Sequence, residues 1–86
     1  MPDYVVYLVR CADGTLYAGS TNNLEARVRA HNEGRGARYT SGRRPVRVVY
    51  SETCASVSAA LRREHQLKRL TRTRKEALLA SKEREP

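Results

Sequence analysis

Three polar side chains of this sequence stand where a helix would be expected to present hydrocarbon. Helical positions i, i+3, i+4 and i+7 share a face. In LEARVRAHN that face holds Leu24, Arg27, Val28 and His31. In VSAALRREHQL it holds Val57, Ala60, Leu61 and Glu64, with Leu67 beside it. A carboxylate on an apolar face is costly unless it is paired or bound to a cation. Arg, His and Glu converging on one sheet face have the chemistry of phosphodiester cleavage. The Arg stabilises phosphate charge, the His relays a proton and the Glu holds a divalent cation. Each also has a plainer role. Glu64 can pair with Arg27, Arg27 can snorkel past Leu24 to water, and His31 can be a hydrogen-bonded interior histidine.

Two tyrosines add phenols to this set. Tyr7 lies in YVVYLVR and Tyr17 in TLYAG, with CADG between them. Whether they share a sheet face depends on the loop. A two-residue Asp13-Gly14 turn pairs Tyr7 with Ser20 and Tyr17 with Arg10, which sends the tyrosines to opposite faces. A three-residue loop, Ala12-Asp13-Gly14, pairs Tyr7 with Gly19 and Tyr17 with Val9, and both phenols face one way. That loop wants a glycine with positive φ at its last position, where Gly14 stands.

The elements that must position these residues follow from pattern. Residues 4–10 are a β-branched and aromatic run, apolar on both faces, and so read as a central strand. Residues 15–19 return as its hairpin partner. Asn22-Asn23-Leu24-Glu25 has capping-box spacing and opens a helix at Asn22 that runs to about Asn32. Gly34 and Gly36 end it. Residues 33–45, EGRGARYTSGRRP, read as a long basic loop. A third strand covers 46–53. A second helix runs from near Ser56 to about Leu70. Thr73-Arg74-Lys75-Glu76 is a further capping box, opening a helix that ends near Lys82. The last residues, EREP, are expected to fray. The order ββαβαα predicts an α+β domain: a small three-stranded antiparallel sheet flanked by helices.

Composition bounds the function. The sequence has 86 residues, which predicts one domain over 1–86 with a structured core of about 3–82. Apolar residues make up 40%, without Trp or Phe, so Leu, Val, Ala and five Tyr must build a modest core. Seventeen Lys and Arg against nine Asp and Glu give a net charge of +8, which calls for a polyanionic partner. The longest apolar run, Tyr4 to Val9, is far short of the ~20 residues of a membrane span. Asp3 stands where a signal peptide wants positive charge. Cys11 and Cys54 make no disulfide framework, and with His31 and His65 they show no zinc-ligand spacing. The expectation is a reduced, cytoplasmic protein without a membrane partner.

The motifs then resemble a family. Val5-Val6-Tyr7 followed by Tyr17-Ala18-Gly19 is similar to the paired motifs of the GIY-YIG nuclease superfamily. Arg27 and His31 follow Tyr17 by ten and fourteen positions, as in that superfamily. Glu64 in LRREHQLK resembles its metal-binding glutamate. HNEGRGARYTSGRRPVRVVY is similar to small stand-alone bacterial members, which in turn resemble the nuclease domain of structure-specific endonuclease catalytic subunits. The resemblance extends from Tyr4 to about Leu79. The sequence departs from the pattern in two places: the first motif reads VVY, and the late asparagine of some members is absent.

The resemblance implies DNA phosphodiester hydrolysis with one divalent metal ion, Mg2+ or Mn2+. Tyr7 and Tyr17 would position or deprotonate the attacking water, Arg27 clamp the phosphate, His31 assist proton transfer and Glu64 hold the metal. A phenol with an ordinary pKa of about 10 is a poor base at neutral pH. Arg27 and a metal would favour its charged form. Gly19, lacking a side chain, would let a phosphate approach the sheet. Arg35, Arg38, Arg43 and Arg44 would hold the flanking backbone. Tyr39 would either stack on a base or seal the loop against the sheet. DNA is the expected partner, with RNA and a targeting protein partner left open, and repair or recombination is the family-level role. The alternative is a catalytically inactive basic DNA- or RNA-binding module of the same fold. The presence of all five candidate catalytic residues favours the nuclease.

Overall fold

The computed structural model describes residues 3–83. The element order is β1 Tyr4–Arg10, β2 Leu16–Thr21, α1 Leu24–Asn32, a single helical turn α2 Arg38–Ser41, β3 Arg47–Cys54, α3 Val57–Arg69 and α4 Arg72–Glu83. The three strands form an antiparallel sheet in the order β2-β1-β3, so the doubly apolar strand is central, as its composition requires. Of the residues expected to fray, 84–86 lie outside the described residues, and Glu83 closes α4.

The hairpin adopts the three-residue alternative. Cys11 N donates to Thr15 O at 2.8 Å, Gly14 N to Cys11 O at 2.9 Å, and Gly14 takes φ +86°. Tyr7 therefore opposes Gly19 and Val9 opposes Tyr17. Both tyrosines lie on one face.

The two sheet faces carry separate clusters. Val6, Leu8, Leu16, Ala18 and Tyr50 pack with Ala60 and Leu67 of α3 and Leu79 of α4. Tyr7, Val9, Cys11 and Val46 pack on the other face, with Tyr17 and Leu24 against them. Where β1 meets β3 the register shifts between Leu8 and Val9, so that Leu8 opposes Tyr50 and Val9 opposes Val48. This bulge brings the neighbouring Val49 and Tyr50 both against the α3–α4 cluster.

Local boundaries differ from the expected ones for identifiable reasons. The α1 cap is Asn23 rather than Asn22, because Thr21 Oγ1 accepts the Asn23 N–H and Asn23 Oδ1 then accepts from Ala26 N. The α4 cap is Thr71 rather than Thr73, with Thr71 Oγ1 accepting from Arg74 N at 3.2 Å. Glu76 is not a capping residue, since Arg10 takes both its oxygens at 2.6 and 2.8 Å and so ties α4 to the sheet. The basic loop 33–45 is not structureless. It contains α2, held by Thr40 and by Arg43, which donates to Tyr39 O and Asp13 Oδ2.

The apolar stripe of α3 is also narrower than its sequence implies. Ala60 and Leu67 are buried, with Glu64 between them on the same line, whereas Val57 and Leu61 are 48% and 55% exposed. Leu67→Ala is therefore expected to cost about 2–5 kcal/mol. Leu61→Ala should change stability by no more than ~0.5 kcal/mol. Urea unfolding with an unchanged m-value checks both. Equal effects would contradict this placement of the helix.

Candidate active site

The Tyr7 ring lies against β2 at Gly19. A Cβ built on Gly19 would stand 2.6 Å from Tyr7 Cζ, so any side chain there would expel the phenol. This corrects the expectation that Gly19 leaves room for a phosphate. The space is already taken by Tyr7. The phenol oxygen shares a 2.8 Å hydrogen bond with His31 Nε2, and both residues are buried. On the far side of the ring, His31 Nδ1 lies 2.8 Å from Thr40 Oγ1, and Thr40 Oγ1 donates to Ala37 O at 3.1 Å.

His31 also depends on a close approach. A Cβ on Gly36 would stand 2.6 Å from His31 Cγ, so Gly36 admits the imidazole rather than simply ending α1. Helix α1 ends at Gly34 instead, where Gly34 N donates to His31 O and Arg35 N to Ala30 O, the paired bonds of a Schellman motif. Arg27, one turn before His31, donates Nη2 to Gly36 O at 2.8 Å, and its charge acts on the nearby Tyr7 hydroxyl. One arginine thus braces the loop that admits the imidazole and sets the charge beside the phenol.

Glu64 arrives from the opposite side. Its partners are Ser20 Oγ at 2.5 Å and Lys68 Nζ at 2.8 Å. Ser20 opposes Val6 and so faces α3, while Tyr7 and Tyr17 face α1. The expected convergence on one sheet face is corrected accordingly. Arg27 and His31 cover one face, and Glu64 meets them across β2, the edge strand. Lys68 follows the same route, its ammonium lying 5.7 Å from the Tyr17 ring centroid. Glu64 is not bridged to Arg27 as the plainer reading had it. Nor does its charge wait uncompensated for a cation, since Lys68 and Ser20 already satisfy it.

Tyr17 is the centre of an aromatic stack. Its ring packs edge-on to His31 at 5.5 Å and parallel to Tyr39 at 5.7 Å. The Arg43 guanidinium sits 4.0 Å from the Tyr39 centroid, within cation–π range. Tyr39 thus packs against Tyr17 and Arg43 while staying 38% exposed. Arg44 donates to Ser41 O and Asn32 O, so Arg43 and Arg44 direct donors into the loop itself. Arg35 pairs with Glu33, and Arg38 is exposed on α2. Sequence reading missed Thr40, Gly36, Ser20 and Lys68. Only Lys68 carried a signal, its i,i+4 spacing from Glu64.

Electrostatics separate the roles. Burial pushes the Tyr7 phenol above its ordinary value, against the opposing pull of Arg27. Burial, reinforced by the Arg27 charge, holds His31 below its ordinary value, so the ring is neutral at physiological pH. For Glu64 burial acts upward, but Lys68 and Ser20 outweigh it and the carboxyl lies below its usual range. Among the described residues, no three His, Cys, Asp or Glu side chains gather to hold a metal. Glu64 alone still fits magnesium, which keeps several waters and binds through one or two carboxylates plus substrate phosphates.

Comparison with known proteins places this arrangement. A profile of the GIY-YIG catalytic domain matches residues 3–77, and the chain belongs to that family. It is 53% identical over 78 residues to a UPF0213 protein of Natronomonas pharaonis, covering 91% of this chain and 92% of that one. It is 49% identical over 75 residues to a UPF0213 protein of Staphylococcus haemolyticus, covering 87% and 92%. The solution NMR structure of an E. faecalis protein superposes with a TM-score of 0.67 at 36% identity, over 100% of this chain and 92% of that one. That of a Bacillus halodurans UPF0213 protein gives 0.61 at 39% identity, over 93% and 85%. Family membership supports a nuclease-type function. The names of these relatives carry no activity.

The lowered His31 pKa has a pH consequence. The folded state holds the neutral ring, so this stability is full above the unfolded histidine's value of about 6.5. It is lost as pH falls from there through the folded value. Thermal melts should show Tm declining between about pH 6.5 and 5, above the carboxylate range, with the His31 ring titrating below about 6.5 by NMR. A Tm flat across that interval would contradict a neutral buried imidazole.

Proposed function

We propose that this domain is a divalent-metal-dependent DNA endonuclease. The observation that carries the reading is the 2.8 Å contact of the Tyr7 hydroxyl with a neutral, buried imidazole, within the electrostatic reach of Arg27. A phenol is a useful base only if its own proton has somewhere to go, and His31 supplies that place. Tyr7 takes the proton of the attacking water as its own passes to His31 Nε2. Arg27, which already favours the phenolate, stabilises the charge that develops on the phosphate. Tyr17 packs His31 in place and borders the edge across which Glu64 meets the phenol. Glu64 would hold the Mg2+ or Mn2+ ion, which when bound neutralises phosphate charge.

The DNA backbone would cross the open edge of β2, between the basic 33–45 loop and Lys68. The net charge of +8 supports this partner. No helix of the described residues is long and apolar enough to cross a membrane. We place the protein in the cytoplasm, acting on branched or interrupted DNA in repair or recombination, alone or with a targeting partner.

The test is a panel of labelled linear, flap, fork and junction DNAs, with Mg2+ or Mn2+ against chelator, for wild type and Glu64→Gln. Wild type should cut only with metal. The variant should lose at least ~10²-fold in rate. Its stability should change by less than about 1 kcal/mol, because Gln can keep the Ser20 bond and the ion pair it loses ends on a half-exposed Lys68. Wild type that binds every substrate but cuts none would leave the inactive binding module.

Binding itself should be salt-steep. With roughly 4–6 phosphates neutralised, log K against log salt should fall with a slope of about −4 to −5. A salt-independent affinity would contradict the DNA assignment.

A further inference from the structure

We infer that Thr40 is a positioning residue that fixes the tautomer of His31, holding the proton on Nδ1 so that Nε2 presents its lone pair to Tyr7. This rests on the proposed role of Tyr7 and His31. It adds a residue that no motif singles out, on a helical turn within a loop.

The direction of the hydrogen-bonded chain follows from counting protons. A carbonyl can only accept, and a threonine hydroxyl carries a single proton. Thr40 Oγ1 lies 3.1 Å from Ala37 O and 2.8 Å from His31 Nδ1. With its proton donated to Ala37 O, Oγ1 turns a lone pair to Nδ1 and favours hydrogen there. The other end gives the same answer. The Arg27 charge lies near enough to act on the Tyr7 hydroxyl, and a phenol turns its lone pairs toward a cation and its proton away, here toward Nε2. Both ends favour the Nδ1–H tautomer. The chain reads Tyr7 O–H to Nε2, Nδ1–H to Thr40 Oγ1, and Oγ1–H to Ala37 O.

Among the described residues the ring nitrogens have no other hydrogen-bond partner. His31 and Thr40 are both fully buried. Gly36 closes over the ring so tightly that a Cβ there would collide with it. Tyr17 stands edge-on to the same ring and adds no polar atom to it. The relay then needs no movement of heavy atoms. When Tyr7 loses its proton to Nε2, the imidazolium keeps its Nδ1–H bond to Thr40, and Arg27 remains against the phenolate.

The experiment reads the His31 ring nitrogens by 15N NMR in the free protein, without DNA or metal, in wild type, Thr40→Val and Thr40→Ser. Valine keeps the shape and removes the acceptor; serine restores it. Wild type and Thr40→Ser should show the Nδ1–H form. Thr40→Val should show the Nε2–H form or a mixture. In the cleavage assay Thr40→Val should lose at least ~10²-fold in kcat with DNA affinity unchanged, and Thr40→Ser should recover most of it. An Nε2–H ring in wild type overturns the inference even if Thr40→Val does not fold. So does an unchanged Nδ1–H ring in Thr40→Val. Full activity in a Thr40→Val protein whose ring has switched would overturn the positioning role. Because the tautomer is read without substrate, a protein that proves not to cut DNA still decides the assignment of Thr40.

Discussion

The contact between the Tyr7 hydroxyl and His31 Nε2 is the constraint around which the rest of the structure is arranged. Two buried polar groups meet inside a domain with a modest core, and each would be costly to bury alone. Their pairing requires two positions without side chains. Gly19 gives the phenol its place across the hairpin, and Gly36 gives the imidazole its place beneath the loop. It also requires the three-residue hairpin loop, because a register one residue different would turn Tyr17 and its neighbours to the other face. The basic loop folds down because Thr40 completes the imidazole's bonding and Arg27 binds Gly36 O. Sheet register, loop conformation and helix placement are thus coupled through one hydrogen bond.

The second organising feature is the edge strand. The catalytic candidates come from both layers of the domain, with Arg27 and His31 on one face of the sheet and Glu64 on the other. They meet only because β2 has no neighbour on its outer side. An unpaired edge is a liability in most sheets. Here it is where groups from both layers come together. Lys68 and Ser20 hold the Glu64 carboxylate ready at that edge. The charge of Glu64 is therefore stable in the fold without any ligand.

Much of this was legible in the sequence. The strands showed as β-branched runs, the helices as periodic segments with caps, and the candidate residues as polar side chains on apolar faces. The hairpin was legible down to two registers, and Asp13, which a two-residue turn would need at positive φ, is not there. The errors have a common cause. Caps shifted because Thr21 and Thr71 sit close enough to bond first, and Glu76 was claimed by Arg10 from a distant strand. Loop 33–45 had no period to reveal α2, because Thr40 and Arg43 are held by His31 and Asp13, far away in the chain. Gly19 was assigned the right property, an absent side chain, and the wrong occupant. The layer from which Glu64 arrives depends on how α3 packs, which a one-dimensional stripe does not encode.

The central claim is that Tyr7, rather than Tyr17, is the phenol that activates water. The direct measurement is single-turnover DNA cleavage by Tyr7→Phe beside Tyr17→Phe, with magnesium or manganese. Phenylalanine keeps the ring over Gly19 and removes only the hydroxyl that meets His31. The account predicts that Tyr7→Phe binds DNA normally and loses at least ~10²-fold in rate, while Tyr17→Phe retains most activity. Cleavage by Tyr7→Phe at the wild-type rate, with Tyr17→Phe inactive, would contradict it.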